Sequence, residues 1–368
     1  MVSISVIMSS ARDDYSIIDL PKMHILKPAI DSLKGQVFKD FEFIFCDGVY
    51  NYRPNLFNGK EMGGIFDKEK LGFVIKHIPV EHNRLYNHSF WLDNRRWNIC
   101  GQLNSCLIHA TGKLIVRIDD CCRFDNSYLK RFWDEYQTGM WLQAMHVRWL
   151  GEKPAYLNDE YRKKGYEMNI GGTSGGWDTV GRDELLRKLY GENGLVRDSR
   201  YQKVVDAGGR LVAPSDWYYG YSSVPLDVAL RVNGWDELFD ADKSLEDSDM
   251  GNRLAMAGYS GKFLLDIKNQ VVEYEHMGIS SRLIDSGIKP IKCNYAIYEI
   301  NKKNNRWRAN SSILDKHDIK FVRKESLKPP CSPTPNFYDE NCNGRWFDIW
   351  TKNQPVFSLV EERKLYGL

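Results

Sequence analysis

Short apolar runs separated by polar stretches dominate the first third of the chain. Runs rich in β-branched and aromatic residues, typical of buried strands, predict strands over residues 2–8, 41–46, 73–80 and 114–118. Apolar positions at helical spacing predict helices over 25–33 and 92–110, and Gly112 follows the second helix as a stop signal. This alternation predicts an α/β fold in which helices flank a central, mostly parallel or mixed sheet.

Acidic residues directly follow two of these predicted strands. Asp47 ends the second strand, and Asp119-Asp120 ends the fourth. Ligands of open α/β sheets bind at the carboxyl ends of the strands, which is where these side chains are expected. Adjacent carboxylates repel each other, and Mg²⁺ or Mn²⁺, which prefer carboxylate and phosphate oxygens, relieve that repulsion. Two interpretations stay open for the Asp pair: a site for a metal-bound diphosphate, and an acidic turn that caps a helix.

A second acidic group lies at the start of a helix predicted from residue 246 to Gly258. Glu246, Asp247 and Asp249 occupy its first turn, where the helix dipole favours negative charge. Asp249 can pair with Arg253 four residues later. A carboxylate in this position can also act as a general base toward a hydroxyl nucleophile. Helix capping alone is the alternative interpretation.

Two other side chains are candidates for ligand contacts. Trp235, in the turn 233–237, either stacks on a sugar or belongs to the core. His276 follows a strand-like run, and a lone histidine is usually structural. It becomes a candidate ligand only if a metal already lies nearby.

Composition narrows the class of protein. The 368 residues carry a formal net charge of +2, with 42% hydrophobic and 27% charged residues. These values exclude a mostly disordered chain and give no strong signal for nucleic-acid binding. No run of about 18 apolar residues occurs, so no transmembrane helix is expected, and the N-terminal residues do not resemble a signal peptide. Eight scattered cysteines without a CxxC pair argue against a zinc ribbon and predict reduced thiols in a cytoplasmic protein.

In their order along the chain, these residues resemble a GT-A glycosyltransferase of family 2. The segment Ser9-Ser-Ala-Arg12 resembles its nucleotide-contacting loop, and Asp47 matches the aspartate that reads the nucleotide base. Asn104 begins the family's Asn, Ala and Gly spacing, and Asp119 falls where its aspartate signature begins. The resemblance covers about residues 3–280 and implies that Ser9, Arg12, Asp47, Asn104, Asp119 and Asp120 contact the donor.

The second half is similar to the C-terminal motif of galactosyltransferase family 7. The turn around Trp235 and the pair Glu246-Asp247 resemble its acceptor-side turn and catalytic acidic pair. The match implies that Asp247 is the general base and that Trp235, Glu246 and Asp249 bind the acceptor. It also implies that Asp120 and His276 are metal ligands.

The chain departs from the family pattern at several positions. Cys121 and Cys122 stand where the family signature usually carries aspartates, and a thiol is a poor Mg²⁺ ligand. Leu103 replaces a common arginine, and Cys106 replaces a common glycine. The glycine-tryptophan loop of family 7 is replaced by residues 240–244.

The resemblance implies the GT-A, or nucleotide-diphospho-sugar transferase, fold over residues 1–280. Its nucleotide-binding half would cover about 1–125 and its acceptor-binding half about 126–280, with a C-terminal extension of unknown role over 281–368. The implied activity is inverting transfer of a sugar from a nucleotide-diphosphate sugar, most simply a UDP-sugar, to a hydroxyl of a glycan, with Mn²⁺ or Mg²⁺.

Other functions stay open at this stage. The chain can be a degenerate transferase that binds sugars or assembles with partners without catalysis, or a transferase acting on a protein or a modified nucleic-acid base. A nucleotidyltransferase is disfavoured because residues 9–14 contain no glycine for a phosphate loop. Peripheral membrane contact and the oligomeric state are not decided by the sequence.

Overall fold

The structure is a computed structural model, and it describes residues 2–10, 16–17, 20–24, 26–80, 98–144, 146–149, 195–197, 215–241, 245–264, 271–274, 294–326 and 351–368. Its strands are β1 Ile4–Ser10, β2 Ser16–Ile17, β3 Leu20–His24, β4 Phe41–Asp47, β5 Val74–Ile78, β6 Leu114–Arg117, β7 Cys122–Arg123, β8 Met140–Ala144, β9 His146–Trp149, β10 Leu195–Arg197, β11 Ser222–Pro225, β12 Ser260–Leu264 and β13 Val271–Tyr274. Its α-helices are α1 Lys27–Lys34, α2 Ile99–His109, α3 Tyr128–Asp134, α4 Leu226–Arg231, α5 Glu246–Met256, α6 Asn294–Lys303, α7 Lys316–Ser326 and α8 Leu359–Leu365.

A seven-stranded sheet forms the centre of the molecule, in the order β12-β8-β11-β6-β1-β4-β5. Strands β6, β1, β4 and β5 pair in parallel, as do β8 and β12, and β11 runs antiparallel between β8 and β6. The four strands predicted from the first third are confirmed as β1, β4, β5 and β6. The predicted α/β class with a mostly parallel central sheet flanked by helices is confirmed as well.

Side chains of the central strands point alternately to the two faces of the sheet, and a hydrophobic core packs on each face. Val6 of β1 packs on the face that also buries Leu33 of α1 and Leu129 of α3. Ile7 points to the opposite face, where it joins residues of α2, α5, α6 and α8. Strands buried on both faces explain why β1 and β4 are apolar at nearly every position rather than alternating.

A second, four-stranded sheet has the order β10-β9-β13-β7. Strand β13 pairs antiparallel with the short β7, which brings Glu273 opposite Cys122. The second sheet therefore places an acidic side chain next to the segment that follows β6.

The C-terminal residues contribute to the same core as α2. Nη1 of Arg363 donates to the carbonyl oxygens of Ile108 at 3.1 Å and Ala110 at 2.7 Å, at the end of α2. Leu359 is fully buried, and its N–H donates to Oδ1 of Asn233 at 2.8 Å. The predicted boundary at residue 280 lies outside the described residues, so the separate C-terminal extension stays a prediction. Within the described ranges, no helix is long and apolar enough to span a membrane.

Candidate active site

A buried arginine joins two groups of carboxylates at the carboxyl end of β6. Arg117, the last residue of β6, forms an ion pair through Nη1 with Oδ1 of Asp247 and lies 3.4 Å through Nη2 from Oδ1 of Asp119. Its side chain is 3% exposed, and its guanidinium carbon lies 5.8 Å from the ring centroid of Trp235. Burial opposes the charge of Arg117, but the nearby carboxylates of Asp247 and Asp119 raise its pKa above the usual value.

The two aspartates after β6 have different surroundings. The pKa of Asp119 is raised to about 6. Burial is the main cause, the charges of Glu273, Asp247 and Asp120 add to it, and the charge of Arg117 opposes it. Asp120 is 7% exposed and accepts a hydrogen bond of 2.6 Å from Oγ of Ser10, the last residue of β1. Asp119 thus lies within electrostatic reach of three other carboxylates and one arginine, which gives this end of β6 an excess of negative charge.

A glycine makes room for the Asp119 carboxylate. A Cβ atom built at Gly220 would overlap Oδ2 of Asp119. The backbone just before β11 therefore lies directly against this carboxylate, and only glycine permits that approach.

Helix α5 begins with the acidic pair predicted as catalytic. Its N-cap, Leu245, has a left-handed φ of 71°. Glu246 is 9% exposed, and its Oε2 has no hydrogen-bond partner among the described residues. Burial, followed by the charge of Asp247, raises the pKa of Glu246 to about 8, so its carboxyl is mostly protonated at neutral pH. The side chain of Asp247 is 14% exposed and reaches solvent.

Asp249 turns into the protein rather than toward the site. Its Oδ2 accepts from Nε of Arg253 at 2.6 Å, which confirms the predicted pair, and its Oδ1 accepts from Nδ2 of Asn301 at 2.9 Å. Asp249 is 1% exposed. Burial raises its pKa, whereas Arg253 lowers it. These contacts give Asp249 a structural position, and acceptor binding by Asp249 stays a prediction that its burial does not favour.

Trp235 is also a core residue. It is fully buried and packs near Tyr218, with 6.4 Å between the ring centroids. Of the two interpretations drawn from the sequence, this position matches the core. Stacking of Trp235 on an acceptor sugar stays a prediction that would need the ring to become exposed.

Asn104, predicted to contact the donor, ties α2 to the turn before α5. Its Nδ2 donates to the carbonyl of Trp235 at 2.9 Å and to Oε1 of Glu237 at 3.0 Å, and its Oδ1 accepts from the N–H of Trp235 at 2.9 Å. Asn104 is fully buried. Gly234 lies so close that a Cβ there would overlap Oδ1 of Asn104. These contacts hold the turn in place, and donor contact by Asn104 stays a prediction.

At the end of β4, the carboxylate of Asp47 is surrounded by donors. Oδ1 accepts from the N–H of Val49 at 3.0 Å and Nη2 of Arg53 at 2.9 Å; Oδ2 accepts from Nε of Arg53 at 2.6 Å and lies 3.0 Å from Nε2 of His77. Burial opposes ionisation, but these contacts with His77 and Arg53 lower the pKa of Asp47. The predicted base-reading residue is therefore engaged within the protein, and its side chain is 0% exposed.

The remaining predicted residues have mixed outcomes. Ser9 lies in β1, half-buried, next to Ser10. Arg12 and His276 lie outside the described residues. Cys121 is fully buried in the core and has a φ of 59°. Within the described residues, no group of three His, Cys, Asp or Glu side chains could hold a metal ion.

Two site features escaped the sequence reasoning. Arg117 stands in the apolar run of β6, and a charged residue inside a buried strand was a signal of an internal partner. Asp240, in a short 3-10 helix over Glu237–Ala241, accepts from the N–H groups of Cys100 at 2.7 Å and Gly101 at 2.9 Å, and so caps α2 from 140 residues away. No local pattern predicts a cap of such long range.

No family model matches the sequence, and no curated protein matches it. Among solved structures, the chain is similar to S. aureus TarS 1–349, at 11% identity and a TM-score of 0.42, over 87% of this chain and 69% of that one. The complex of TarS 1–349 with UDP-GlcNAc has 12% identity and a TM-score of 0.44 over 96% and 82% of the two chains. The complex with UDP has 11% identity and a TM-score of 0.42 over 88% and 70%. Likeness at this level does not assign a function to the chain.

Proposed function

We propose that the protein is a GT-A glycosyltransferase that moves a sugar, with inversion, from a nucleotide-diphosphate sugar to an acceptor hydroxyl. One observation carries the proposal: Arg117 brings the strand-end carboxylate of Asp119 and the helix-start carboxylate of Asp247 onto one guanidinium. A donor-side acid and a solvent-reaching base held close together are what a single displacement at an anomeric carbon needs.

Asp247 is the proposed general base. Its carboxylate reaches solvent at the start of α5, where the helix dipole favours the negative charge. It would take the proton of the acceptor hydroxyl as the oxygen attacks the anomeric carbon, while the bond to the leaving diphosphate breaks. Glu246 beside it, mostly protonated at neutral pH, would donate a hydrogen bond to an acceptor oxygen.

Asp119 and Asp120 are the proposed donor-side residues. They supply the carboxylate oxygens that Mn²⁺ or Mg²⁺ prefers, and such ions need only one or two protein ligands when phosphate oxygens complete the shell. Asp120 would hold the ion, with His276 as a second proposed ligand. When bound, the metal would offset the negative charge that develops on the leaving diphosphate. Ser10 positions the Asp120 carboxylate by donating to it.

The proposed donor is a UDP-sugar and the proposed acceptor a hydroxyl on a glycan. Tyr50 and Phe57 contact the His77 ring near Asp47, with centroid separations of 4.7 and 5.3 Å. This aromatic and cationic group at the end of β4 would receive the nucleotide base. Because Asp47 already accepts four contacts, Arg53 or His77 would meet the base directly.

Thermal unfolding with UDP, GDP and CDP, each with and without Mn²⁺, tests this proposal. A ligand at about 100 times its Kd adds about 2.7 kcal/mol, which raises the midpoint by several degrees. We expect one nucleotide to stabilise the protein in a metal-dependent way, and the Asp120→Ala variant to lose the metal dependence. Lys130→Gln, on the exposed face of α3, is the matched control and should respond like wild type.

A degenerate, non-catalytic transferase is the second candidate. Cys121 favours it, because a buried thiol stands where the resembling family usually carries an aspartate, and a thiol is a poor Mg²⁺ ligand. Stabilisation by no nucleotide would favour this candidate. Stabilisation without metal would keep the nucleotide site and remove Asp120 and His276 as metal ligands.

A further inference from the structure

Two of the buried arginines among the described residues, Arg253 and Arg117, differ in how exposed their carboxylate partners are. Arg253 satisfies its donors inside the protein: Nε contacts Asp249 at 2.6 Å, and Nη1 donates to the carbonyls of Val232 at 3.2 Å and Gly234 at 2.7 Å. The Asp249 side chain that it binds is 2% exposed. This is the pattern of an arginine that stabilises the fold.

Arg117 is as deeply buried, but its partners reach solvent. The side chain of Asp247 is 14% exposed and that of Asp119 is 30% exposed. Its Nε is buried with no hydrogen-bond partner among the described residues. The buried charge of Arg117, which is costly to desolvate, thus orients two partly exposed carboxylates rather than completing an internal network.

The contact with Asp247 is made through one oxygen. Arg117 holds Oδ1, and the described residues place no hydrogen-bond donor on Oδ2. The Trp235 ring backs the guanidinium at 5.8 Å and limits its movement. One carboxylate oxygen is therefore fixed from inside the protein while the carboxylate remains accessible from outside.

We propose that Arg117 is the positioning residue of the general base: it holds Oδ1 of the Asp247 carboxylate so that Oδ2 faces the acceptor hydroxyl. The inference rests on the proposed function. It predicts that Arg117 acts on the chemical step through Asp247, while its longer contact with Asp119, at 3.4 Å, bears on donor binding. Loss of Arg117 then lowers kcat, and any change in the donor KM reports the contact with Asp119.

A double-mutant cycle tests this role, with release of UDP from UDP-glucose and from UDP-N-acetylglucosamine as the readout. Asp247→Asn should lower kcat about 10²- to 10⁴-fold, the usual contribution of a positioned base. Arg117→Gln should lower kcat about 10- to 100-fold in the wild-type background, a part of that contribution. It should have no further effect in the Asp247→Asn background, because the group it acts through is already gone.

Two variants separate positioning from folding. Arg117→Lys keeps the buried charge and should recover part of the lost kcat, so it carries the test if Arg117→Gln does not fold. Arg253→Lys is the matched structural control: it should lower the thermal midpoint while kcat per folded molecule stays close to wild type.

The outcomes distinguish failure of the positioning role of Arg117 from failure of the proposed glycosyltransferase function. Equal losses of kcat from Arg117→Gln in both backgrounds would overturn the positioning role, as would a raised KM with unchanged kcat. Failure of the wild type to release UDP from either donor would overturn the proposed UDP-sugar transferase, and the inference with it.

Discussion

The ionisation of Glu246 makes the stability of the protein depend on pH. Its carboxyl has a pKa of about 8 in the folded protein against 4.5 in the unfolded chain, because burial and Asp247 disfavour its charge. The folded state therefore binds this proton more tightly than the unfolded state does. Stability from this group is fully present below pH 4.5 and is lost as pH rises from 4.5 through about 8.

Glu246→Gln removes the ionisation and nearly preserves the shape. A pKa difference of one unit corresponds to about 1.4 kcal/mol. Between pH 4.5 and pH 8.5, ionisation of Glu246 should therefore lower the free energy of unfolding of the wild type by roughly 4 kcal/mol, a loss that a chain unable to ionise at this position does not have. We expect the variant and the wild type to be similarly stable at pH 5. At pH 8.5 the variant should be more stable by roughly that amount.

Chemical denaturation of both proteins from pH 5 to 8.5, followed by tryptophan fluorescence, measures the difference. Comparing the two chains at each pH cancels the contribution of other buried acids such as Asp119. Glu361→Gln, in an exposed ion pair on α8, is the control and should follow the wild type. Parallel stability curves for wild type and Glu246→Gln, or a variant that is less stable at pH 8.5, would refute the assigned environment of Glu246.

Three other substitutions have defined outcomes. Asn104→Ala should cost roughly 2–4 kcal/mol of unfolding free energy, since it strips buried partners from the Trp235 backbone, while nucleotide affinity per folded molecule stays unchanged; reduced affinity would restore its donor-binding role. Gly220→Ala should displace the Asp119 carboxylate and weaken metal-dependent nucleotide binding, measured by calorimetry, with Gly35→Ala, where a Cβ makes only ordinary contacts, as the comparison for backbone effects. Arg53→Ala should weaken nucleotide binding, measured by calorimetry, while the thermal midpoint stays close to wild type. A large fall in the midpoint with unchanged nucleotide affinity would make the group around Asp47 structural.

The strand ends could be predicted from the sequence because the signal is local. An apolar run followed at once by Asp47 or by Asp119-Asp120 marks both a buried strand and the end of it. The start of α5 was equally readable, since acids at 246–249 precede apolar positions at helical spacing. These two local signals located most of the acidic site.

What the sequence could not provide is which side chains meet across the fold. Asn104 and Trp235 are 131 residues apart, yet they share two hydrogen bonds in the core. Their polar and aromatic chemistry suits ligand contact and internal bridging equally well. Only the packing of α2 against the 233–237 turn decides between them, and that packing depends on long-range contacts.

The direct test of the central claim is the configuration of the sugar released from the donor when water stands in for the acceptor hydroxyl. Proton NMR during the first minutes of turnover of UDP-N-acetylglucosamine, an α-linked donor, distinguishes the β-anomer from the α-anomer before they equilibrate. A single displacement assisted by Asp247 predicts that the β-anomer is formed first by the wild type and that Asp247→Asn forms it far more slowly. Initial release of the α-anomer, or equal rates for the two proteins, would contradict the account.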